Sequence, residues 1–118
     1  MRRTLVPLAS GVMRKTKEVD IQRAICDYLA LKKHFFWRNN NTPIFDATAK
    51  RFRAMPKYSM MGLPDIIVLR SGKFIGIEVK REKGNLSDHQ HKFAQACVLN
   101  GGDYIVARSI DDVVKIGL

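Results

Sequence analysis

The chain has 118 residues, enough to bury one core and too few for two, and its 46% apolar and 27% charged residues exclude disorder of the chain as a whole. Lysine and arginine number 21 against 11 acids, a formal charge of +10 and a sequence pI near 10.0, so a polyanion is the first partner to consider. No run approaches the ~20 apolar residues of a membrane span, and Pro7 inside a short apolar stretch argues against a secretory leader, so a cytoplasmic protein is expected.

The excess charge is concentrated. Arg2, Arg3, Arg14, Lys15 and Lys17 precede the first acid, Glu18, and Lys32, Lys33, Arg38, Lys50, Arg51, Arg53 and Lys57 are set against Asp46 alone. Two basic segments fit a nucleic-acid surface better than charge spread for solubility. Residues 1–15 lack periodicity and contain Pro7 and Gly11, which predicts a flexible basic arm ahead of a folded unit over 16–118.

Thr16 is a candidate N-cap for a helix to about residue 32, because Ile21, Ala24, Ile25, Tyr28 and Leu29 recur at three- and four-residue spacing. Glu18 lies nearly in line with Ile25 on that stripe. It either reaches inward or serves as a first-turn acid at the helix N-terminus, worth about 0.3–1 kcal/mol. Phe35, Phe36 and Trp37 predict a short strand that ends in the turn-prone cluster 39–43. The basic stretch 44–62 reads as a hairpin or loop.

Ile66 to Leu69 and Phe74 to Val79 are β-prone runs separated by Ser71-Gly72, a predicted hairpin. Ser87 followed by Gln90 predicts a capping box opening a second helix, with Phe93, Ala96 and Cys97 inward and Gly101-Gly102 ending it. Tyr104 to Ala107 then reads as a strand, and Ser109 as the cap of a short helix containing Val113, Val114 and Ile116. The order predicts a mixed α/β domain. Cys26 and Cys97 fall among apolar neighbours on helices, and His89 and His91 are two apart rather than at the i, i+4 spacing of a helical metal pair. No disulfide, zinc site or metal-binding histidine is expected.

In the strand Phe74 to Lys80, alternation puts Ile75, Ile77 and Val79 on one face and Gly76, Glu78 and Lys80 on the other. If Ser71-Gly72 is a two-residue turn, Arg70 faces Lys73, and counting outward brings Asp65 opposite Glu78, with Cβ atoms ~5 Å apart. Two facing carboxylates raise each other's pKa, and a divalent cation offsets the repulsion. Carboxylate oxygens suit Mg²⁺ or Mn²⁺. A one-residue change in the loop would send Asp65 to the other face, and the competing reading is a solvated cross-strand ion network.

Gly62-Leu63-Pro64-Asp65 followed by Ile77-Glu78-Val79-Lys80 resembles the PD-(D/E)XK nuclease signature and, more narrowly, the VRR-NUC family. The similarity runs over roughly residues 16 to 110 and takes in Glu18, Gln22, Trp37-Arg38-Asn39, Ser87, Gln90 and Gly101-Gly102. It implies a restriction-endonuclease-like mixed sheet flanked by helices. Asp65, Glu78 and Glu18, together with Val79, would hold Mg²⁺ or Mn²⁺, and Lys80 would stand beside the attacking water. Short stand-alone members, often viral or bacterial, resemble homodimeric Holliday-junction resolvases, which implies a metal-dependent endonuclease for branched DNA. Gln90 could position water or phosphate, although capping accounts for it. Arg38, Asn39, Arg51, Arg53, Lys57, Arg81 and Lys83 are the candidate nucleic-acid contacts. The alternative is a non-catalytic or partner-activated DNA-binding module on the same fold.

Overall fold

The computed structural model describes residues 17–39, 45–52 and 56–118. The expected basic arm, Thr16 and Arg53 lie outside the described residues. Helix α1 (Glu18–Leu31) has Lys17 at its N-cap position, with no side-chain cap. Ile21, Ile25 and Leu29 are its buried stripe, as the spacing predicts. Fully burying side chains such as Ile25 and Leu29 contributes about 1.5–3 kcal/mol each.

Strand β1 (Phe36–Arg38) is followed by a small antiparallel pair, β2 (Phe45–Asp46) with β3 (Arg51–Phe52), which makes the basic stretch a hairpin. Strands β4 (Ile66–Arg70) and β5 (Lys73–Val79) form the main hairpin. Ser71 at φ 51° and Gly72 at φ 77° both take the left-handed conformation that a tight two-residue turn demands. Helix α2 (Asp88–Leu99) carries the chain back to β6 (Asp103–Ala107), parallel to β5, and α3 (Ile110–Lys115) follows.

The main sheet has the order β1-β4-β5-β6, antiparallel except for the last pair. Ile66, Val68, Ile75, Ile77 and Val79 face one way and form the core with α1, Val113 of α3 and Leu118. Gly76, Glu78 and Tyr104 fall on the opposite face, where Phe93 of α2 meets Phe74 and Tyr104 at ring separations of 6.4 and 6.1 Å. Helices on both faces bury Glu78 along with the apolar strand residues.

Two local expectations change. Ser109 stands at the N-cap of α3 but makes no side-chain cap bond; Asp112 instead accepts the Arg108 N–H. Ala96 is exposed rather than inward, because α2 rests on the sheet through Phe93 and the partly buried Cys97. Val114 and Ile116 are also exposed, which leaves Val113 as the anchor of the last helix.

Candidate active site

The site lies at the open end of the β4–β5 hairpin. Pairing of Arg70 with Lys73 and of Ile66 with Ile77 means that the next position outward sets Asp65 against Glu78, the register counted from the two-residue turn. Asp65 Oδ2 accepts the Val79 N–H at 2.8 Å, and the Asp65 carbonyl accepts the Asn39 N–H at 2.8 Å. Neighbouring strands on both sides therefore fix the position of this residue.

Glu78 is 3% exposed, so the solvated ion network does not describe it. The first turn of α2 reaches it: Gln90 Nε2 donates to Glu78 Oε2 at 3.1 Å. The same Gln90 closes the predicted capping box, its Oε1 accepting the Ser87 N–H and its own N–H donating to Ser87 Oγ. Capping and carboxylate contact thus reside in one side chain. Glu78 Oε1 is buried with no hydrogen-bond partner. Burial, then the Asp65 carboxylate, which can accept a hydrogen bond from a proton-bearing Glu78 oxygen and repels an ionised one, push the Glu78 carboxyl up to about 9, against an opposing pull from Lys80.

Lys80 follows on the same face of the strand. Its side chain is half-buried and its backbone N–H donates to the Ala107 carbonyl at 3.1 Å. Glu18 is partly buried, and its Oε2 accepts the Arg81 N–H at 3.3 Å across 63 residues of sequence. It therefore makes a long-range contact rather than serving only its own helix. With Lys17 and Arg81 it lines an open pocket. Asp20, on the far side of the helix, pairs with Arg23 in solvent.

Tyr104 is a site residue that the sequence reading missed. On β6 it pairs with Gly76, where a Cβ would come within 2.9 Å of the Pro64 ring, so the absence of a side chain on β5 makes room for Pro64. Its hydroxyl is buried and faces Glu78 without completing a hydrogen bond of good geometry. Burial, then the charges of Glu78 and Asp65, hold the phenol above the ordinary tyrosine range.

The basic candidates are dispersed. Arg81 and Lys83 are exposed on the segment beside Glu18, adjoining the carboxylates. Asn39 sits against Asp65. Arg38 alternates to the α1 side, where its charge partly offsets the burial that raises the Cys26 thiol. Lys57 lies over the exposed Tyr58 ring at 5.1 Å. Arg51 is on β3 and Arg53 lies outside the described residues.

The residues suit a divalent cation in their chemistry. Two facing carboxyls, one with a buried oxygen that no protein group satisfies, form a hard oxygen donor set, and a cation would offset the mutual repulsion. Val79, expected among the ligands, contributes its N–H to Asp65 and its side chain to the core, which leaves its carbonyl oxygen as the atom that could serve a cation. Among the described residues no three His, Cys, Asp or Glu side chains form a complete ligand group by themselves. Asp65 and Glu78 are therefore the primary candidate holders, with Glu18 at the margin.

A mixed sheet flanked by helices, with Pro-Asp and Glu-x-Lys elements meeting at a hairpin's open end, defines the class of small nuclease-type α/β domains. A family model described as the VRR-NUC domain matches residues 16–111, and the chain belongs to the VRR-NUC family. Among solved structures, one described as a VRR_NUC domain aligns with a TM-score of 0.60 at 20% identity, covering 86% of this chain and 94% of the other. A second, a VRR_NUC domain protein, aligns at 0.64 and 18% identity, covering 87% and 86%. No curated protein matches the chain. The expected fold and family hold, and nuclease-type function follows from the family.

Proposed function

We propose that this protein is a Mg²⁺- or Mn²⁺-dependent endonuclease that hydrolyses the phosphodiester backbone of DNA. The observation that carries the reading is Glu78: a buried carboxyl facing Asp65, one oxygen unpartnered, with Lys80 next along the same strand face. A divalent cation held by Asp65 and Glu78, with Glu18 at the margin, supplies Lewis-acid polarisation of a phosphate oxygen and a lowered pKa for water.

The chain's own residues do the rest. Gln90 holds the Glu78 carboxyl in one orientation. Lys80 orients the attacking water and stabilises charge on the phosphate as the bond to phosphorus forms and the P–O3′ bond breaks. Products then carry 5′-phosphate and 3′-hydroxyl ends. Arg81 and Lys83, exposed beside the site, hold the backbone through its phosphates, so binding is salt-dependent and largely independent of base sequence. The family resemblance supports a four-way junction as substrate, and a two-fold homodimer is the assembly that cuts two strands symmetrically.

The test is a panel of end-labelled DNAs, four-way junction, flap, linear duplex and single strand, incubated with Mg²⁺, Mn²⁺ or EDTA. Paired symmetric cuts confined to the junction support the resolvase form; cuts in other substrates retain the nuclease and reject that preference. Salt-dependent binding without cutting in any condition favours the non-catalytic or partner-activated module.

A further inference from the structure

The end of β6 holds the segment that follows the Glu-x-Lys strand. Ala107 accepts the Lys80 N–H, as above, and one residue later the Arg108 side chain turns back over residues 81–84. Arg108 Nη1 donates to the carbonyl oxygens of Arg81 at 2.5 Å and Gly84 at 2.8 Å, with that of Glu82 at 3.3 Å. The turn is closed by the Gly84 N–H on the Arg81 carbonyl at 2.9 Å. Arg108 is itself fixed, since its backbone N–H donates to Asp112 Oδ2 at 2.8 Å.

Three carbonyl dipoles aimed at one point repel each other, and the permanent positive charge of Arg108, brought to them through the single nitrogen Nη1, gathers them. Fixing the carbonyls of residues 81 and 84 fixes the backbone of the turn, including the Arg81 amide that donates to Glu18 Oε2. Gly84 stands against the same oxygen; a Cβ there would lie 3.5 Å from it. A carboxylate on the first turn of α1 is thus oriented by a turn that Arg108 holds in shape.

We propose that Arg108 is a positioning residue for Glu18, acting through the 81–84 turn so that the helix carboxylate is presented toward the Asp65–Glu78 pair in one orientation. This rests on the metal-dependent nuclease reading, and it assigns a task to an exposed arginine that would otherwise be counted as another phosphate contact. Outer groups that orient a metal-binding carboxylate affect metal affinity roughly 10-fold or more when removed.

The experiment is Mn²⁺ binding to the full chain without DNA, read from the electron paramagnetic resonance of free Mn²⁺. Wild type, Arg108→Ala, Arg108→Lys, Glu18→Gln and the Arg108→Ala/Glu18→Gln double variant are compared, and cutting is followed in parallel at rising Mn²⁺. Arg108→Ala is expected to weaken Mn²⁺ binding roughly 10-fold, to add little in the Glu18→Gln background, and to recover cutting as Mn²⁺ is raised. Arg108→Lys keeps the charge, but its ammonium stops one bond short of the Nη1 position, so it recovers only part of the loss; it carries the comparison alone if the alanine variant does not fold. A folded Arg108 variant that binds Mn²⁺ like a wild type competent to cut DNA, or a fully additive double variant, overturns this inference and leaves the nuclease reading intact. A wild type that neither binds Mn²⁺ nor cuts overturns both.

Discussion

Asp65 and Glu78 face each other one position beyond the last ladder pair of the β4–β5 hairpin, with Asp65 Oδ2 bound to the amide of the residue after Glu78. The pairing joins a partly exposed acid to a buried one, and burial falls mainly on Glu78. Most of what the site can do, and several ways to perturb it, follow from that asymmetry.

The metal-free protein loses stability as pH rises because of Glu78. The folded carboxyl is pushed up to about 9, while the unfolded chain titrates near 4.5. Below 4.5 both states hold the proton. Between the two values the folded state binds more protons than the unfolded, so stability falls with pH and levels off above about 9. Glu78→Gln removes the ionisable group and keeps an oxygen for Gln90. In EDTA it should raise the melting temperature by roughly 5 °C or more at pH 8 and by much less at pH 4, measured by calorimetry, while abolishing cutting.

Metal affinity should rise with pH for the same reason. A cation at Asp65 and Glu78 displaces the proton that burial keeps on Glu78, so binding releases a proton throughout the window below about 9. Mn²⁺ titrations at pH 6, 7 and 8 should show tightening approaching about tenfold per pH unit. A pH-independent affinity would place the cation elsewhere.

Gln90 combines two roles that mutation can separate. Ser87→Ala removes the cap and leaves the Gln90 contact to Glu78, costing about 1 kcal/mol of stability with little change in cutting at saturating metal. Gln90→Ala keeps the Gln90 N–H on Ser87 Oγ but removes the reciprocal bond to the Ser87 N–H and the Glu78 contact, and should lower the cutting rate as well. Denaturation and single-turnover rates on the two variants separate the capping share from the Glu78 share.

Gly62 cannot carry a side chain. It sits at φ +78°, and a Cβ would stand 2.3 Å from the His89 carbonyl oxygen and 2.7 Å from the Gln90 nitrogen, both backbone atoms of α2. Gly62→Ala should destabilise by about 3 kcal/mol or more or prevent folding. Gly72→Ala, also at positive φ but with open space around it, should cost only about 1 kcal/mol. Chemical denaturation of both variants provides the comparison.

Much of this site was readable because its geometry is local. A two-residue turn and period-two alternation are enough to set Asp65 against Glu78, and the Ser87–Gln90 box is written within four residues. The inward stripe of α1 placed Glu18 on the correct side, although not its partner. The remaining features depend on contacts that no short-range pattern encodes. Tyr104 joins the site because β6 lies parallel to β5 in a register that puts it beside Gly76, and Arg108 turns back to a segment 24 to 27 residues earlier. A glycine between Ile75 and Ile77 was the available signal for Pro64 over β5. Arg38 was read as a phosphate contact from charge alone, and strand parity sets it on the α1 side.

Single-turnover cutting by Lys80→Ala separates catalysis from folding and DNA binding, because Lys80 lies on the Glu78 face while its backbone bond to Ala107 survives the substitution. The wild type should cut end-labelled DNA with Mg²⁺ or Mn²⁺ and stop in EDTA. The folded variant should bind the same DNA with similar affinity and cut it at least ~100-fold more slowly. Undiminished cutting by Lys80→Ala, or wild-type binding with no cutting in either metal, would contradict this assignment of the site.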